Sequence, residues 1–296
     1  MSTPHNDVLI FDRKRLLQAR KRSAPALADY DFLIRKAQNE IIDRLGDIKR
    51  DFPLAAHLGR EGAQPFLLDA PSKIENLIKA FPPESASASS QPDIFADEDY
   101  LPFADESLDL VLSTLSLHSI NDLPGTLIQI NRALKPDGLF LAGMFGGETL
   151  WELRESLMQA ELALKNGASP RVFPFADKQQ AGALLQRAGF ALPVVDSDIL
   201  TVTYDDMFKL IHDLRGMGES NIIAARSRTN PGKAFFMEAA RYYAERFSDP
   251  DGRIRASFEI IYMIGWAPHA SQQKPLRPGS AKIRLAEALK TKETAL

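Results

Sequence analysis

Residues 108–115 and 139–145, with the sequences LDLVLSTL and LFLAGMF, decide the fold of this chain. Most of their side chains are apolar, as is typical of strands that are covered on both faces. Residues 121–134 lie between them, begin with Asn-Asp and an early proline, and then repeat apolar residues at helical spacing. Residues 135–138, KPDG, end this helix and turn the chain. This order predicts a βαβ unit in a parallel sheet with a right-handed crossover.

The residues downstream extend this unit into a doubly wound α/β sheet. Apolar residues at helical spacing predict four helices, and β-branched and aromatic residues predict two strands. The helices cover residues 148–165, 176–188, 205–214 and 232–247, and the strands cover residues 194–204 and 254–266. The last two helices precede the final strand, so we expect residues 205–250 to form a helical insertion.

The pattern of the N-terminal third is less regular. Residues 32–45 carry an apolar stripe that predicts an amphipathic helix. Residues 54–58 and 66–68 are short apolar runs that we interpret as strands. Residues 72–81 open with a capping-box pattern and predict a helix.

Composition limits the classes of function. The 296 residues are 45% hydrophobic and 25% charged, which is typical of a soluble globular protein with a sizeable core. The net charge of −3 gives no general attraction to nucleic acid. The absence of cysteine excludes disulfides, thiolate metal sites and cysteine nucleophiles. No apolar run is long enough to span a membrane, so we expect a cytoplasmic protein.

The chain divides into three expected parts, which are an N-terminal basic helical arm, one α/β domain and a short tail. They cover residues 1–50, 51–288 and 289–296. Prolines and small polar residues at 82–92 predict a flexible loop. The basic clusters at 13–15 and 20–22 alternate with aspartates, which favours a solvated helix. A mitochondrial presequence, and with it a matrix location, is the alternative.

Several short motifs occur in a fixed order between residues 97 and 138. An acidic residue precedes LPF at 101–103, DLV follows at 109–111, and LKPDG follows at 134–138. This order resembles class I S-adenosylmethionine (SAM) methyltransferases of the methyltransferase-11 type. The fold that this resemblance implies is a Rossmann-like doubly wound sheet.

Further motifs narrow the resemblance to one branch of that family. They are SLH at 116–118, MFGGETL at 144–150, GMGESN at 216–221 and GWAPH at 265–269. The branch includes a mitochondrial complex I assembly factor described as a protein arginine hydroxylase, together with bacterial relatives. The resemblance therefore implies a SAM-dependent enzyme, or a modifier of a respiratory-chain subunit or another protein substrate. It covers roughly residues 94–288.

The resemblance also implies a set of cofactor-binding residues at the carboxyl ends of the strands. Asp97 matches the family's adenine contact, and Gly59 and Gly62 match its glycine turn. Asp69 is the candidate for the ribose hydroxyls, with Glu75 as a weaker one. The remaining expected cofactor contacts are Glu98, Thr114 and Leu115.

Two departures from the family pattern bear on SAM binding. His57 and Glu61 stand where the family has an acidic residue and a central glycine, and a bulky side chain would fill space that the cofactor needs. Too few residues separate the strands predicted at 54–58 and 66–68 for a parallel crossover, which needs about a dozen. We therefore expect a shortened N-terminal cofactor-binding segment. The two glycines could equally form a plain turn, and Asp69 could favour a helix start.

His118 is the candidate general base, because it follows the strand predicted at 108–115. A hydrogen-bonded loop histidine is the alternative. The glycine-rich residues 216–221 are interpreted as a substrate lid or as a connector. We predict no metal site, since no defensible set of ligands is present.

Three hypotheses for the function stay open. The first is a SAM-dependent enzyme that modifies a protein or a small molecule. The second is a non-catalytic assembly factor whose cofactor loop has degenerated. The third is hydroxylation of a protein arginine, and one fold can carry all three.

Overall fold

The computed structural model describes residues 9–60, 73–86, 91–165, 167–273 and 287. Gly62, Asp69 and the strand predicted at 66–68 lie outside these residues. No helix in the described ranges is long and apolar enough to cross a membrane.

Six strands form one mixed sheet within the described residues, in the order β2-β1-β3-β4-β6-β5. The strands β1 to β4 pair in parallel, and β6 lies antiparallel between β4 and β5. The bounds are β1 Phe52–Gly59, β2 Ile74–Ala80, β3 Leu108–Thr114, β4 Leu134–Phe145, β5 Ala191–Tyr204 and β6 Ile254–Trp266.

Seven α-helices accompany the sheet in the described ranges. Their bounds are α1 Arg13–Ser23, α2 Phe32–Asp47, α3 Leu123–Ala133, α4 Trp151–Lys165, α5 Lys178–Arg187, α6 Met207–Gly216 and α7 Lys233–Phe247. Asp122 accepts a hydrogen bond from the Gly125 amide and so caps α3. The helices α6 and α7 lie between β5 and the last strand, β6. They confirm the helical insertion predicted before that strand.

The helices cover both faces of the sheet, as a doubly wound fold requires. One core joins the sheet to α2, α4, α6 and α7, for example through Ile41, Leu153 and Phe235. The other core joins it to α3 and α5, for example through Leu127 and Leu185. The predicted fold class is confirmed.

The segment predicted as a helix at 72–81 is a strand. Residues 74–80 form β2, which pairs in parallel with β1 over its length, with Ala56 opposite Ile78. The free edge of β1 supplies backbone partners, and this pairing overrides the local helical pattern. The connection from β1 to β2 therefore runs over residues 60–73, which is long enough for a parallel crossover.

This correction changes the argument for two acidic residues. Asp69 lies outside the described residues and precedes β2 in the chain, so its place at the ribose hydroxyls stays a prediction. Glu75 lies at the start of β2, at the end opposite the carboxyl edge where ligands bind.

The KPDG turn is also placed differently. Residues 135–138 belong to β4, which starts at Leu134, directly after α3. Asp137 takes a positive φ of 64° there, and the pairing of β4 with β3 shifts its register between Leu108 and Leu110. The turn predicted at these residues is therefore an irregularity within the first residues of β4.

The N-terminal helices pack into the domain. Leu33, Ala37 and Leu45 of α2 belong to the main core. Arg20 of α1 is 0% exposed, so the expectation of a solvated basic helix is wrong for this residue.

Candidate active site at the carboxyl edge of the sheet

The ends of β1 and β3 lie side by side. Gly59 is opposite Thr114 in the parallel register, and Leu115 follows at once with a positive φ of 41°. Thr114 and Leu115 are both buried. The structure therefore brings together three of the residues predicted to bind a cofactor.

Gly59 is required for the packing of these two strand ends. Its φ is 94°, in the left-handed region, and a Cβ on it would lie 2.7 Å from Ser116 Cβ and 2.8 Å from the Thr114 carbonyl oxygen. The glycine thus lets β1 approach the residues after β3. The space above it is filled by Ser116.

Beside Gly59, His57 is fully buried. Its Nε2 lies 2.9 Å from Thr114 Oγ1. At this position, where the family pattern has an acidic residue, the chain has a histidine that joins β1 to β3.

Three consecutive carboxylates surround the guanidinium of Arg13. Its Nη2 donates to Asp97 Oδ1 at 2.5 Å and to Glu98 Oε2 at 2.9 Å. Its Nε lies 3.5 Å from Asp99 Oδ2. The first two contacts are short charge-assisted hydrogen bonds, and the third is a longer ion pair. The predicted adenine contact, Asp97, is therefore engaged by the chain's own helix α1.

Glu98 is the buried centre of this network. Its carboxylate also accepts from Ser116 Oγ at 2.8 Å and lies 3.4 Å from Arg20 Nη1. Burial raises the pKa of Glu98, but Arg20 and Arg13 outweigh burial and bring the pKa to about 2. Glu98 is consequently a carboxylate at every ordinary pH.

A third arginine, Arg60, lies directly after Gly59. It is 3% exposed and donates to the carbonyl oxygen of Met217. Burial, followed by the like charge of Arg20, lowers the pKa of Arg60 to about 10. Its Nη1 is 3.6 Å from Glu219 Oε1, so Arg60 ties the end of β1 to the loop after α6.

His118 lies on the other half of the edge and pairs with Glu219. The distance from His118 Nε2 to Glu219 Oε2 is 3.5 Å, and His118 Nδ1 has no hydrogen-bond partner. Burial raises the pKa of Glu219, but His118 and the nearby arginines lower it overall. Glu219 is therefore an ionised group that orients the imidazole.

Phenylalanines enclose this pair. The His118 ring lies 4.8 Å from the Phe145 ring, 5.8 Å from that of Phe175 and 6.2 Å from that of Phe173. Glu219 and these three rings also line a cavity of about 60 Å³. That volume is of the order of two water molecules, so the cavity has room for a small chemical group.

The described residues contain no group of three or more histidine and acidic side chains that could hold a metal ion.

Comparison with known proteins matches residues 70–142 to the family described as "Methyltransferase domain". The arginine-hydroxylase NDUFAF5, mitochondrial, of Danio rerio is 40% identical over 297 residues, covering 95% of this chain and 90% of that protein. The Homo sapiens protein of the same name is 40% identical over 294 residues, covering 97% and 85%.

This chain belongs to the NDUFAF5 branch of the class I methyltransferases. A malonyl-[acyl-carrier protein] O-methyltransferase of Xylella fastidiosa (strain M23) is 39% identical over 175 residues, which cover 59% of this chain and 57% of that protein.

Solved structures agree on the fold of the family. The YcgJ protein from Bacillus subtilis has a TM-score of 0.53 at 15% identity, covering 80% of this chain and 100% of that chain. Haemonchus contortus phosphoethanolamine N-methyltransferase 2, in complex with phosphomonomethylethanolamine and S-adenosylhomocysteine, has a TM-score of 0.51 at 15% identity, covering 87% and 60%.

The side chains of this family member do not fit SAM in the arrangement described. Ser116 occupies the space beside Gly59, and Arg13 engages Asp97 and Glu98. Buried Arg60 stands immediately after the glycine. A cofactor in the family's crevice would have to displace these contacts.

The sequence analysis missed the basic residues that fill the crevice. Arg13 and Arg20 are seven positions apart, which places them on one face of α1, and this spacing was the available signal. Glu219 lies in the GMGESN motif, which pointed to a lid but not to a partner for His118. No local sequence pattern predicts that Arg60 belongs to the site.

Proposed function

We propose that this chain is an enzyme that modifies an arginine side chain of a protein substrate, with His118 as the proton acceptor. The observation that carries the proposal is the buried His118–Glu219 pair, of which Glu219 lines a phenylalanine-walled cavity. The NDUFAF5 relatives, which are named arginine hydroxylases, suggest the substrate residue.

Glu219 and the phenylalanine rings of the cavity suit a guanidinium group, and the wall also includes Arg171, whose own guanidinium pairs with Glu161. Carboxylates bind guanidinium through charge-assisted hydrogen bonds, and aromatic rings stack on its plane. Glu219 lies 3.5 Å from His118 and 3.6 Å from Arg60. Both distances exceed the usual 2.7–2.9 Å of a strong charge-assisted bond, so the Glu219 carboxylate can take a closer donor.

His118 supplies the base that a reaction at an arginine guanidinium requires. A guanidinium is protonated at neutral pH and is a poor nucleophile until a proton leaves. The unpartnered Nδ1 of His118, with Nε2 directed at Glu219, leaves one ring nitrogen for that proton. A methyl group from SAM would take the place of the proton that His118 accepts, and S-adenosylhomocysteine would leave. Insertion of an oxygen atom, as the name of the relatives implies, would need dioxygen and a two-electron reductant as co-reactants. A subunit of respiratory complex I is the first substrate to examine.

The test compares cells that lack the chain with cells that regain it as wild type, His118→Asn or His269→Asn. Mass spectrometry of the cellular proteins would find an arginine that gains one oxygen atom or one methyl group only when the wild type is present. General-base catalysis contributes about 100-fold or more, so His118→Asn should reduce that modification at least about 100-fold. His269→Asn is the matched control, because His269 is exposed. If no arginine depends on the chain, the proposal fails.

A non-catalytic assembly factor is the second candidate, and the arginine-filled crevice favours it. Under this hypothesis His118→Asn restores respiratory function to the deletion cells as fully as the wild type does. Under the enzymatic proposal it does not.

A further inference from the structure

A groove on the protein surface adjoins the phenylalanine-walled cavity. It lies between α4 and the segment 168–175, and its volume of about 480 Å³ is within the range of roughly 300–1,000 Å³ that is typical of ligand pockets. Four residues, Arg171, Val172, Phe173 and Phe175, line both the groove and the cavity. The groove and the cavity therefore share one wall.

Hydrogen bonds and an ion pair hold this wall against α4. The Glu161 carboxylate accepts hydrogen bonds at 2.9 Å from the amide and from the hydroxyl of Ser169, and at 2.8 Å from Arg171 Nη2. The Arg171 guanidinium also lies over the Phe235 ring, 4.4 Å from its centroid. The charge of Arg171 is consequently matched within the protein.

Helix α4 forms the other side of the groove. It contributes Arg154, Leu157 and Met158, which share one helix face because they are three and four positions apart. Met158 is 44% exposed. Exposed methionines beside apolar surface are typical of sites that accept side chains of varied shape.

Arg154 is a cation of the groove that has no matching carboxylate nearby. It forms no ion pair with the residues that the structure describes, and its Nη2 lies 3.3 Å from the carbonyl oxygens of Gly147 and Thr149. Burial lowers the pKa of Arg154, and the attraction of Glu148 offsets this only in part. A carboxylate from outside the chain would therefore find a charged donor in a largely apolar groove.

We propose that the groove binds the part of the protein substrate next to the modified arginine, with an acidic side chain of the substrate on Arg154 and an apolar one against Leu157 and Met158. The proposal rests on the proposed function in one respect, that the target arginine enters the cavity. Charge complementarity favours this occupant, because a purely apolar segment would leave Arg154 unmatched. The shared wall favours it too, because the neighbours of an arginine in the cavity come within reach of the groove.

The first measurement is selection by the purified wild type from a library of nine-residue peptides with a fixed central arginine. The four random positions on each side span about 13 Å of extended chain. Aspartate or glutamate should be enriched at one position at least about tenfold, the effect of a hydrogen bond to a charged group. An apolar residue should be enriched at a second position. Absence of binding, or binding without an acidic preference, would overturn the proposal.

A change of charge at residue 154 tests whether Arg154 causes this selection. Arg154→Gln should remove the acidic preference, and Arg154→Glu should replace it by a preference for lysine or arginine at the same position. A residue that only held the carbonyl oxygens of Gly147 and Thr149 could not reverse the preference. Arg187→Glu is the matched control, because Arg187 is exposed on α5, which packs on the opposite face of the sheet. An acidic preference that persists in Arg154→Gln would contradict the proposal.

Met158→Ser tests the apolar part of the groove at an exposed position, where the fold tolerates the change. It should weaken the enrichment of the apolar residue about fivefold, the effect of losing part of a buried methionine side chain. Met237 is 51% exposed on α7, so Met237→Ser is the control and should select as the wild type does. Equal selection by the two variants would overturn the apolar contact.

A second library with glutamine at the centre separates this proposal from the proposed function. If the acidic preference through Arg154 is as strong with glutamine as with arginine, the proposed function fails, and the groove is still a site for an acidic segment. If the central arginine is required but no flanking acidic residue is selected, the groove proposal fails and the proposed function stands.

Discussion

The two halves of the sheet's carboxyl edge differ in what occupies the space above the strands. Over β1, the guanidinium groups of Arg13, Arg20 and Arg60 fill the crevice and meet carboxylates. Over β3 and β4, Glu219 and phenylalanine rings line a cavity of about 60 Å³, and His118 packs against one of those rings. Buried charges are stable only while they keep their partners, whereas an apolar wall tolerates a vacant space. The charged half over β1 therefore keeps its ion pairs, whereas the apolar half over β3 and β4 has room for a bound chemical group.

The largest effect is expected at the centre of the charged half. Glu98→Gln removes the carboxylate between Arg13 and Arg20. Buried Arg20 then loses its ion pair, while Arg13 keeps Asp97 and Asp99. We expect a loss of about 3–5 kcal/mol in the free energy of unfolding, measured with denaturant. Asp105→Asn is the control, because it breaks an exposed pair with Arg132 and should cost less than about 1 kcal/mol. Similar losses in both variants would mean that the charged half contributes no more than surface pairs do.

Acid should lower the stability of the wild type by protonating the same carboxylate, that of Glu98. The pKa of Glu98 falls from its ordinary value of 4.5 to about 2 in the folded state. A lowered folded-state pKa stabilises the protein above the unfolded value, and this contribution is lost as the pH falls from about 4.5 towards 2. The shift corresponds to about 3 kcal/mol. Denaturant unfolding at several pH values should show this loss in the wild type but not in Glu98→Gln. Parallel pH profiles for the two proteins would contradict the assignment.

A smaller effect is expected where β1 meets β3. Gly59→Ala places a methyl group against Ser116 and the Thr114 carbonyl oxygen at a positive φ, and it should cost about 2 kcal/mol. Gly46 near the end of α2 has no atom within 4 Å of an added Cβ, so Gly46→Ala should not destabilise the chain. Denaturant unfolding of both variants checks this. Equal stabilities would show that the end of β1 is loosely packed.

The sequence predicted the sheet well where one residue pattern had one structural meaning. The apolar runs that became β3 and β4 could only be buried strands, and the helix between them had both a cap and an apolar stripe. Residues 74–80 were ambiguous, because Ile74, Leu77 and Ile78 suit a helix face as well as a strand. Only pairing with β1 decides between these, and that pairing is not local.

The candidate site was predicted in part for the same reason. Asp97 and His118 lie in motifs that sequence alone marks. Their partners do not, since Arg13 is 84 residues from Asp97 and Glu219 is 101 residues from His118. Contacts at such separations depend on the folded chain, so the charges that close the crevice became visible only in the structure.

The origin of the atom added to arginine tests the central claim most directly. Cells that express the chain would be grown once with methyl-deuterated methionine and once under heavy oxygen gas, and their arginine-containing peptides would be compared with those of deletion cells. The account predicts that one of the two labels enters an arginine of a particular protein only when the chain with His118 intact is present. If neither label enters any arginine in a way that depends on the chain, the claim that it modifies arginine is contradicted.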